Sequence, residues 1–463
     1  MHSHSLLTAS GIQKVHFIGI GGISMSGLAE ILLDRGYTVT GSDTKTSAIT
    51  NKLEQLGIKI ITGHSGENAA GADLVVYTAA IKENNPELAA ARLQEIPTID
   101  RATLLGWIME GYPGSIAVSG THGKTTTTSM ISMIMLEAGL NPTIHVGGEL
   151  DAIGGTTRIG SNDFFIAEAC EYYESFLKFY PNIAVILNIE FDHADYFRDL
   201  NHVIETFTKF ALHVPSDGWL IANADDRNTS KIIETSDCKV VTFGLNPGTA
   251  DWCAGHVTFD GMGCASYTLM HQGQEVSSII LSVPGIHNVI NSLAAIAACS
   301  ITGCSYDVIK KALARFKGTH RRFELKGLMN GIKIIDDYAH HPSEVMATLK
   351  AAKNSEHSRI WCVFQPHTYT RTKFLMKEFA TAFEDADEVI LADIYAAREI
   401  DKGEVNSEML ADRIKETGKK VAYIKGFEVI AQYLERHAKP GDLVITMGAG
   451  DIYKVGEMLL KSR

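Results

Sequence analysis

The chain has 463 residues, of which 45% are hydrophobic and 21% charged, and its formal net charge is -12 at pH 7. This length is too great for one hydrophobic core and predicts about three domains of roughly 100–200 residues each. The composition is typical of a soluble globular protein. The acidic balance argues against a general nucleic-acid binder, although it leaves room for a local basic pocket that holds phosphates.

The seven cysteines are scattered and form no CxxC pair, so neither a disulfide framework nor a zinc site is indicated. The first residues, MHSHSLLTASGIQKVHF, lack the basic and apolar regions of a signal peptide. Apolar stretches such as IAVIL after Pro181 are too short to span a bilayer. We therefore expect a cytoplasmic protein without membrane contacts.

The first segment alternates apolar runs with a helical pattern. KVHFIGIGG and YTVTGSD read as strands on either side of a helix at residues 25–35, and DLVVYTAAI at residues 73–81 reads as another buried strand. Short strands that alternate with helices predict a parallel sheet with helices on its faces. EGYPGS, around residues 111–114, is a plausible linker to the next segment.

GIGG, at Gly19–Gly22, resembles the start of a dinucleotide fingerprint, and Asp43 ends the second predicted strand. Ser24 occupies the third fingerprint position, where glycine or alanine is usual, so the match is weak. The N–H groups of such a turn still suit a pyrophosphate. We therefore expect a nucleotide diphosphate here, and NAD is not required.

The second segment opens with SIAVSGTHGKTTTTSMISMIML, which predicts a strand, a glycine-containing loop and a helix. GTHGKTT, at Gly120–Thr126, has the context of a phosphate loop, in which Lys124 would reach the β- and γ-phosphates and the Thr125 hydroxyl would lie on Mg²⁺. Val118 stands where the full pattern has its first glycine. The alternative is a tight turn with an exposed lysine, which the order strand, loop, helix disfavours.

The next two predicted strands, FFIAE and NIAVILNI, end in side chains that suit a metal ion. Glu168 closes the first strand, and Glu190, Asp192 and His193 follow the second. Ligands of open α/β sheets bind beyond the carboxyl ends of the strands, so these residues should face the phosphate loop. A single acid at a strand end is more often a solvated loop residue. The cluster favours a magnesium site at Glu168 and Thr125.

Later parts of the chain predict further elements. Residues 251–284 show period-two alternation with glycines, which predicts antiparallel hairpins, and GIHNVINSLAAIAACSITG predicts a helix that runs to Gly303. A third segment begins after residues 316–318. It predicts strands at GIKIIDDYAHH, RIWCVFQPH, DEVILADI and DLVITMGAGD, with helices between them and a last helix after Tyr453.

Two motifs near the start of the third segment allow more than one interpretation. GTHRRF, at Gly318–Phe323, places two arginines at a linker, where they could clamp ATP on domain closure or form a basic solvated link. DDYAHHP, at Asp336–Pro342, opens a helix. Its acids and imidazoles could orient a nucleophile, or the motif could merely cap that helix at Ser343.

Together these motifs resemble the muramyl (Mur) ligase family over nearly the whole chain, from HFIGIGGISMSGLAE to GAGDIYKVGEML. GTHGKTTTT is shared across that family, whereas HFIGIGG-x-x-MSG, GTHRRF, DDYAHHPSE and FQPHTYTRTK resemble its alanine-adding members. The resemblance implies three α/β domains: a Rossmann-like domain for a UDP-sugar at residues 1–111, a central P-loop ATPase-like domain with the antiparallel hairpins at 112–318, and a Rossmann-like amino-acid domain at 319–463.

The resemblance also implies an activity. The carboxylate of UDP-N-acetylmuramate and MgATP would give an acyl phosphate, which the amine of L-alanine attacks with loss of phosphate. ATP and Mg²⁺ are thus the expected cofactors, with Mn²⁺ as a substitute, and UDP-N-acetylmuramate and L-alanine are the expected partners of a monomer or weak homodimer. A base, His193 or a water that it holds, would take the proton of the ammonium.

Residues matched to the family fall into groups by expected role. The expected catalytic residues are Lys124, Glu168, His193, Arg322, Asp337 and His340. The expected metal ligands are Thr125, Glu168 and His193. The expected nucleotide contacts are Gly120, Thr121, His122, Gly123, Lys124, Thr125, Thr126, His287, Asn288, Asn291 and Arg322. The expected substrate contacts are Gly19, Gly21, Gly22, Ser24, Met25, Ser26, Asp43, Thr78 and Ala79 for the UDP-sugar, and Tyr369 and Arg371, beside His340, for the amino acid.

The chain departs from the family pattern at two places. EACEYYESF stands where EADESDASF is frequent, so Cys170 replaces an acid beside Glu168. Thr368 stands where a basic residue is frequent in PHRYTRTR, and Lys373 replaces the final arginine. The first departure bears on polarity near the phosphate loop, and the second bears on amino-acid capture.

Three alternative functions stay open at this point. A murein-peptide ligase would attach a preformed tripeptide with the same ATP chemistry. An NAD-dependent oxidoreductase would use residues 19–43 but would leave GTHGKTT unexplained. A non-catalytic nucleotide-binding module is the third alternative, and the presence of Lys124, Glu168, His193 and Asp337 argues against it.

Overall fold

The computed structural model describes residues 11–78 and 80–461. Three separate sheets follow one another along the chain, with strands in residues 14–100, 114–284 and 324–447. This confirms the predicted series of three α/β domains. Ala79, one of the expected substrate contacts, lies outside the described residues, as does most of the N-terminal stretch tested above for a signal peptide. Among the described residues, no helix has the length and apolar character needed to cross a membrane.

The N-terminal sheet is parallel throughout, as its alternating pattern predicts, with the strand order β3-β2-β1-β4-β5. The order reverses between β1 and β4, which opens a crevice at the carboxyl ends of the strands. Its strands are β1 (Lys14–Ile18), β2 (Thr38–Asp43), β3 (Lys59–Thr62), β4 (Leu74–Tyr77) and β5 (Thr98–Asp100), and its helices are α1 (Ile23–Asp34), α2 (Ala48–Gln55), α3 (Pro86–Leu93) and α4 (Arg101–Met109).

The middle domain has one ten-stranded sheet in the order β15-β14-β13-β12-β11-β10-β6-β9-β7-β8. Its centre is parallel, and the antiparallel strands β13, β14 and β15 confirm the predicted hairpins as an extension of the same sheet. The strands are β6 (Gly114–Ser119), β7 (Thr143–Leu150), β8 (Gly155–Arg158), β9 (Phe164–Glu168), β10 (Ile183–Ile186), β11 (Trp219–Asn223), β12 (Lys239–Gly244), β13 (Trp252–Phe259), β14 (Cys264–His271) and β15 (Gln274–Pro284).

Helices of the middle domain cover this sheet, and two short 3₁₀ segments connect its strands. The helices are α5 (Lys124–Glu137), α6 (Leu200–Ala211), α7 (Ser230–Thr235), α8 (Ile286–Ile301) and α9 (Tyr306–Arg315), and the 3₁₀ segments are Asp151–Ile153 and Tyr172–Lys178. The second 3₁₀ segment is kinked, because Tyr173 and Glu174 have positive φ angles of 53° and 52°. Such angles are strained for residues other than glycine.

The C-terminal sheet has the order β16-β17-β21-β18-β19-β20, and only the β16–β17 pair is antiparallel. Its strands are β16 (Glu324–Met329), β17 (Ile332–Asp337), β18 (Ile360–Phe364), β19 (Glu388–Leu391), β20 (Val421–Tyr423) and β21 (Leu443–Met447). Its helices are α10 (Pro342–Lys353), α11 (Tyr369–Phe374), α12 (Met376–Thr381), α13 (Ser407–Glu416), α14 (Phe427–His437) and α15 (Tyr453–Lys461).

The N-terminal and middle domains share one apolar core, which runs from Val15 and Leu28 to Phe176 and Phe207. Helix α4 packs very closely against the kinked 3₁₀ segment, since a Cβ on Gly106 would lie 2.1 Å from the carbonyl oxygen of Lys178. The C-terminal domain instead has its own apolar clusters on the two faces of its sheet. Polar contacts, described below, join it to the rest of the molecule.

Candidate active site

The loop between β6 and α5 has the geometry of a phosphate loop. Gly120 and Gly123 have positive φ angles of 139° and 86°, and a Cβ on Gly123 would lie 2.5 Å from the side-chain oxygen of Asn291. Glycine is therefore required at Gly123, where α5 begins. The helix N-terminus and the inward backbone N–H groups of such a loop suit an anion.

Lys124 is the first residue of α5, and its side chain folds back over the loop. Its Nζ donates to the carbonyl oxygen of Thr121 at 3.1 Å and to Glu171 Oε2 at 3.0 Å. Burial lowers the pKa of this ammonium, but the Glu171 carboxylate outweighs that effect and raises the pKa overall. Lys124 therefore carries a positive charge beside the loop at every physiological pH.

The ends of β9 and β7 lie beside the start of α5, as the sequence predicts for the end of β9. Glu168 Oε1 accepts a hydrogen bond from the N–H of Gly147 at 2.6 Å. A Cβ on Gly147 would lie 3.0 Å from both Glu168 carboxylate oxygens, and one on Gly148 would lie 3.0 Å from Thr125 Cγ2. These two glycines thus leave room at the Glu168 carboxylate and the Thr125 side chain, the two expected oxygen ligands of a metal ion.

His193 lies at the same edge of the sheet, with a positive φ angle of 54°. Its Nε2 is 3.7 Å from Glu171 Oε1, and its ring stacks on Tyr172 with centroids 4.2 Å apart. Burial lowers the pKa of His193 more than Asp192 and Glu171 raise it, so the imidazole is neutral near pH 7. A neutral imidazole can accept a proton.

A cavity of about 270 Å³, the large cavity, opens beside the phosphate loop between the middle and C-terminal domains. Its lining includes eight of the predicted nucleotide and catalytic residues: His122, Gly123, Thr126, His287, Asn288, Asn291, Arg322 and Asp337. Burial lowers the pKa of His287 to about 4, so that imidazole is neutral. Asn288 Nδ2 donates to the carbonyl oxygen of Pro284 at 2.7 Å, which fixes the amide at the start of α8.

The two adjacent arginines of GTHRRF have different surroundings. Arg321 is anchored within the C-terminal domain, because its Nε donates to Asp336 Oδ2 at 3.1 Å and its Nη2 donates to the Gly448 carbonyl oxygen at 2.7 Å. Arg322 lines the large cavity, with its Cζ 5.1 Å from the ring centroid of Tyr338. Only Arg322 is thus placed to meet a ligand in that cavity.

Asp337 ends β17 at the rim of the large cavity. Its two oxygens accept from the N–H groups of Phe323 and Ala339, both at 2.7 Å, which fixes the carboxylate. Burial raises its pKa to about 6, and Arg322 opposes that shift. His340 Nδ1 donates to the Tyr338 carbonyl oxygen at 2.9 Å, and burial lowers the pKa of His340 to about 4.

The helix after DDYAHHP begins at Pro342, and its N-cap is His341 rather than Ser343. Glu344 Oε2 accepts from the N–H groups of His340 and His341, at 3.0 and 3.2 Å, and completes a capping box. Ser343 instead donates to Glu190 Oε2 of the middle domain at 2.5 Å. The motif therefore both caps α10 and contacts the neighbouring domain.

His122 of the phosphate loop makes a second bridge between these domains. Its Nδ1 lies 3.1 Å from Glu344 Oε1 of the C-terminal domain, and its Nε2 lies 3.3 Å from Glu190 Oε2 of the middle domain. Burial lowers the pKa of His122, but Glu344 and Glu190 outweigh it and raise the pKa to about 10. At neutral pH an imidazolium therefore lies between two carboxylates.

This bridge predicts a pH dependence of stability. Because the folded pKa of about 10 exceeds the ordinary value of 6.5, His122 contributes its full stabilisation below pH 6.5 and loses it as pH rises through about 10. We expect His122→Gln to lower the melting temperature at pH 6.5 and to matter progressively less towards pH 10. Melting curves of both proteins across that range measure the difference. A difference that stays constant with pH would contradict the charged bridge.

A second, smaller cavity of about 50 Å³ lies where His193 and the start of α11 meet. We call it the small cavity. It is lined by Asp192, His193, Ala194, Asp195, His367, Thr368, Thr370, Arg371, Arg398 and Glu399. Arg371, an expected amino-acid contact, is buried here, whereas Tyr369 is half-buried at the start of α11.

Arg371 makes a two-pronged ion pair with Asp192 across the domain boundary. Its Nε donates to Oδ1 at 3.0 Å and its Nη2 donates to Oδ2 at 3.1 Å. The exposed fractions of the two side chains are only 8% and 9%. Asp192 thus occupies the guanidinium fork of Arg371 in this structure. The role of Arg371 in binding an amino acid stays a prediction.

The glycine turn Gly19–Gly22 lies at the crevice of the N-terminal sheet. The N–H of Gly21 donates to Asp43 Oδ2 at 2.9 Å, and a Cβ on Gly21 would lie 2.8 Å from that oxygen. Thr78 is adjacent, since a Cβ on Gly19 would lie 3.1 Å from its Cγ2. Turn, Asp43 and Thr78 are thus brought together, and their contact with a UDP-sugar stays a prediction.

Three serine and methionine positions of α1 differ in accessibility. Met25 and Ser26 are buried, and Ser26 Oγ donates to the Ile23 carbonyl oxygen at 2.9 Å. Ser24 Oγ lies 2.7 Å from His145 Nε2 and accepts from Arg101 Nη1 at 3.0 Å. Because His145 belongs to β7, Ser24 lies at the junction of the N-terminal and middle domains.

Sequence reasoning left Glu171, Tyr172, Glu344 and Arg398 out of the expected site, and it named Asp192 as a strand-end acid without giving it a role. Glu171 and Asp192 stand next to expected residues in EACEYYESF and EFDHAD, so their position beside a strand end was an available signal. Glu344 is four residues after His340 and could have been found as the acid of a capping box. Arg398 has no motif around it.

Known proteins match this chain along its entire length. Models of the Mur ligase family match three consecutive regions: its catalytic domain at residues 14–113, its middle domain at 118–299 and its glutamate ligase domain at 321–450. The UDP-N-acetylmuramate–L-alanine ligase of Acetivibrio thermocellus is 60% identical over 463 residues, covering 100% of this chain and 99% of that protein. The enzyme of the same name from Caldanaerobacter subterraneus subsp. tengcongensis is 53% identical over 449 residues, covering 97% of each chain.

Solved structures agree with these sequence relatives. The crystal structure of the UDP-N-acetylmuramate–alanine ligase of Thermotoga maritima matches with a TM-score of 0.80 and 30% identity, covering 97% of this chain and 98% of that chain. A murein peptide ligase of Psychrobacter arcticus matches with a TM-score of 0.71 and 25% identity over the same shares of each chain. The three matched domains and the full-length relatives establish the family. This chain belongs to the Mur ligase family.

Proposed function

We propose that this chain joins L-alanine to the carboxylate of UDP-N-acetylmuramate with ATP, through an acyl phosphate, and releases ADP and phosphate. One observation carries the proposal: Lys124 directly follows Gly123 of the large cavity, which suits a nucleotide, and contacts link it to the small cavity, which suits an amino acid. It contacts Glu171, which in turn neighbours His193 of the small cavity. The names of the full-length relatives support this substrate pair.

A carboxylate resists attack by an amine, because attack would place a second negative charge beside the first. Phosphorylation removes this obstacle by creating a good leaving group. In the proposed reaction, the Lys124 ammonium and the Arg322 guanidinium stabilise charge on the transferring phosphoryl group. Neutral His193 takes the proton of the incoming ammonium, directly or through a water. Asp337, held by two backbone N–H groups, keeps Arg322 in place by its charge.

Thr125 and Glu168 would hold Mg²⁺, and the room that Gly147 and Gly148 leave at these two side chains fits an ion there. His193, the third expected ligand, serves instead as the base in the proposed reaction. Mg²⁺ prefers oxygen ligands, and when bound it would neutralise charge on the phosphates. This proposal includes the predicted Mn²⁺ substitution. A cytoplasmic location and a monomeric or weakly dimeric state are further parts of the proposal.

Replacing Glu168 tests the proposed metal site. Glu168→Gln keeps the shape of the side chain and removes its charge, so we expect the Mg²⁺ concentration for half-maximal activity to rise by at least about tenfold, or activity to vanish. Glu149→Gln is the matched control, because Glu149 is exposed on the neighbouring strand β7. An unchanged magnesium titration would show that another acid holds the ion.

The proposed function is tested by phosphate release from ATP in the presence of UDP-N-acetylmuramate and single amino acids in turn. We expect release with L-alanine. The murein-peptide ligase alternative predicts release with a preformed tripeptide instead. A dehydrogenase or a non-catalytic nucleotide-binding module would release no phosphate under either condition.

The acyl phosphate has its own test. With β,γ-bridge-labelled ATP and UDP-N-acetylmuramate but no amino acid, reversible phosphoryl transfer should scramble the label between bridging and non-bridging positions. Release of pyrophosphate instead would indicate transfer of AMP and would overturn the acyl-phosphate route.

A further inference from the structure

The small cavity contains two guanidinium groups, Arg371 and Arg398, and three carboxylates, Asp192, Asp195 and Glu399. Charges of both signs in so small a space suit a zwitterion, whose carboxylate and ammonium need opposite partners. His193 lines the same cavity. An amino acid bound here would therefore lie beside the His193 imidazole, with its carboxylate near one of the two arginines.

Arg371 is already committed to protein partners. Besides its two bonds to Asp192, its Nη1 lies 2.9 Å from His367 Nδ1, so all three of its nitrogens have a partner. Its side chain is only 8% exposed. Binding a carboxylate at this fork would break a buried ion pair and leave the Asp192 charge unpaired.

Arg398 is placed differently. It lies in the segment between β19 and α13, and 62% of its side chain is exposed. Its Nη2 donates to the Tyr172 hydroxyl and lies 3.4 Å from Asp195 Oδ2. Within residues 11–78 and 80–461, its Nε and Nη1 have no hydrogen-bond partner. Arg398 thus retains two nitrogens that can donate to a ligand, in the planar arrangement that suits a carboxylate.

Tyr172 holds Arg398 at the cavity. The Arg398 Cζ lies 4.6 Å from the centroid of the Tyr172 ring, a cation–π distance. The Tyr172 hydroxyl donates to Asp195 Oδ2 at 2.5 Å, and the ring stacks on His193. One aromatic side chain of the middle domain therefore contacts both the free arginine of the C-terminal domain and the imidazole expected to take the proton.

We infer that Arg398 binds the carboxylate of the incoming amino acid and that Tyr172 is the positioning residue that seats it beside His193. This inference rests on the proposed function, since it assigns a residue to the amino-acid substrate of that reaction. Arg371 then serves the same cavity indirectly, by holding Asp192 across the domain boundary.

The test compares L-alanine with L-alaninamide, which lacks the carboxylate. We expect Arg398→Ala to raise KM for L-alanine on the order of 10- to 100-fold, the loss of a charge-assisted hydrogen bond, with KM for ATP and UDP-N-acetylmuramate unchanged. With L-alaninamide, wild type and Arg398→Ala should differ less than about twofold. An equal loss with both amines, or an unchanged KM for L-alanine, would overturn the inference.

Two further variants separate binding from general damage. Arg398→Lys returns a positive charge to the same position and should recover at least part of the loss in KM for L-alanine. A KM for L-alanine in Arg398→Lys as high as in Arg398→Ala would count against a carboxylate site that depends on this charge. Arg413→Ala is the matched control, because Arg413 is equally exposed, at 61%, and pairs with Glu416 on α13.

The role of Tyr172 is tested with a leucine variant and a matched control variant at another tyrosine. Tyr172→Leu removes the ring and should raise KM for L-alanine as Arg398→Ala does, whereas Tyr180→Leu should leave it unchanged, because the Tyr180 ring stacks on His213. Equal effects of the two leucine variants would remove Tyr172 from the role. Failure of the proposed function is distinguishable throughout, because it would appear as absent turnover of L-alanine by the wild-type protein.

Discussion

Lys124→Ala should lower the ligation rate by at least about three orders of magnitude while leaving the fold intact. Lys124 brings a positive charge to the phosphate loop, and it also neutralises Glu171, whose side chain is only 3% exposed. Removing the lysine would therefore withdraw stabilisation from the transferring phosphoryl group and add repulsion from an uncompensated carboxylate. The measurement is kcat for phosphate release, with circular dichroism and UDP-sugar binding as checks of folding.

The two effects of Lys124→Ala can be separated. In the double variant Lys124→Ala, Glu171→Gln, the uncompensated carboxylate is gone, so the remaining loss reports the missing ammonium alone. We expect that loss still to exceed about a hundredfold. Lys353→Ala is the matched control, because Lys353 is exposed and pairs with Asp385, away from the phosphate loop. Near-normal turnover of a folded Lys124→Ala protein would contradict the proposal that this loop binds the phosphates of ATP.

Local patterns in the sequence were sufficient to predict the helices, the strands and the order of the three domains. The helix predicted at residues 25–35 is observed at Ile23–Asp34, and the strand predicted at residues 73–81 is observed at Leu74–Tyr77. The predicted and observed ends of this strand differ because the apolar run YTAAI continues past the last residue that pairs with a neighbouring strand. Period-two alternation predicted the hairpins of residues 251–284, but it could not show that they extend the parallel sheet, since strand neighbours depend on contacts distant in sequence.

Site residues that lie in one loop or at one strand end could be predicted, because their neighbours are close in sequence. Thr125 and Glu168 meet at the edge of one parallel sheet, as the strand order requires. Contacts between domains could not be predicted in this way. His122 and Glu344 are 222 residues apart, and no local pattern distinguishes Arg321, which is anchored in its own domain, from Arg322, which lines the large cavity.

Backbone strain at the site was also beyond sequence reasoning. His193, Tyr173 and Glu174 all have φ angles near 50°, a region that residues other than glycine rarely adopt. Such conformations persist only where surrounding contacts enforce them. Here the stack of Tyr172 on His193 and the packing of Gly106 against Lys178 hold the chain, and these contacts are long-range.

The buried pair of Asp192 and Arg371 gives the second large expected effect. Asp192→Ala would leave the Arg371 guanidinium buried without its partner, at a cost of about 3–5 kcal/mol, which corresponds to roughly 10²- to 10⁴-fold. Since the pair joins the middle and C-terminal domains, we expect this loss in kcat/KM for L-alanine, with binding of UDP-N-acetylmuramate to the N-terminal domain preserved. Equal losses for both ligands would show that the variant damages the whole fold.

A double-mutant cycle shows whether the two side chains act through each other. In Asp192→Leu, Arg371→Met no charge is left unpaired, so the double variant should lose no more kcat/KM for L-alanine than the worse single variant, Asp192→Leu or Arg371→Met. If Arg371 instead bound the alanine carboxylate itself, Arg371→Met would be costly with L-alanine and nearly silent with L-alaninamide, and the single losses would add. A pair that holds two domains together does not contact the carboxylate of the substrate. We therefore expect a large coupling energy between the Asp192 and Arg371 substitutions that is the same for L-alanine and for L-alaninamide.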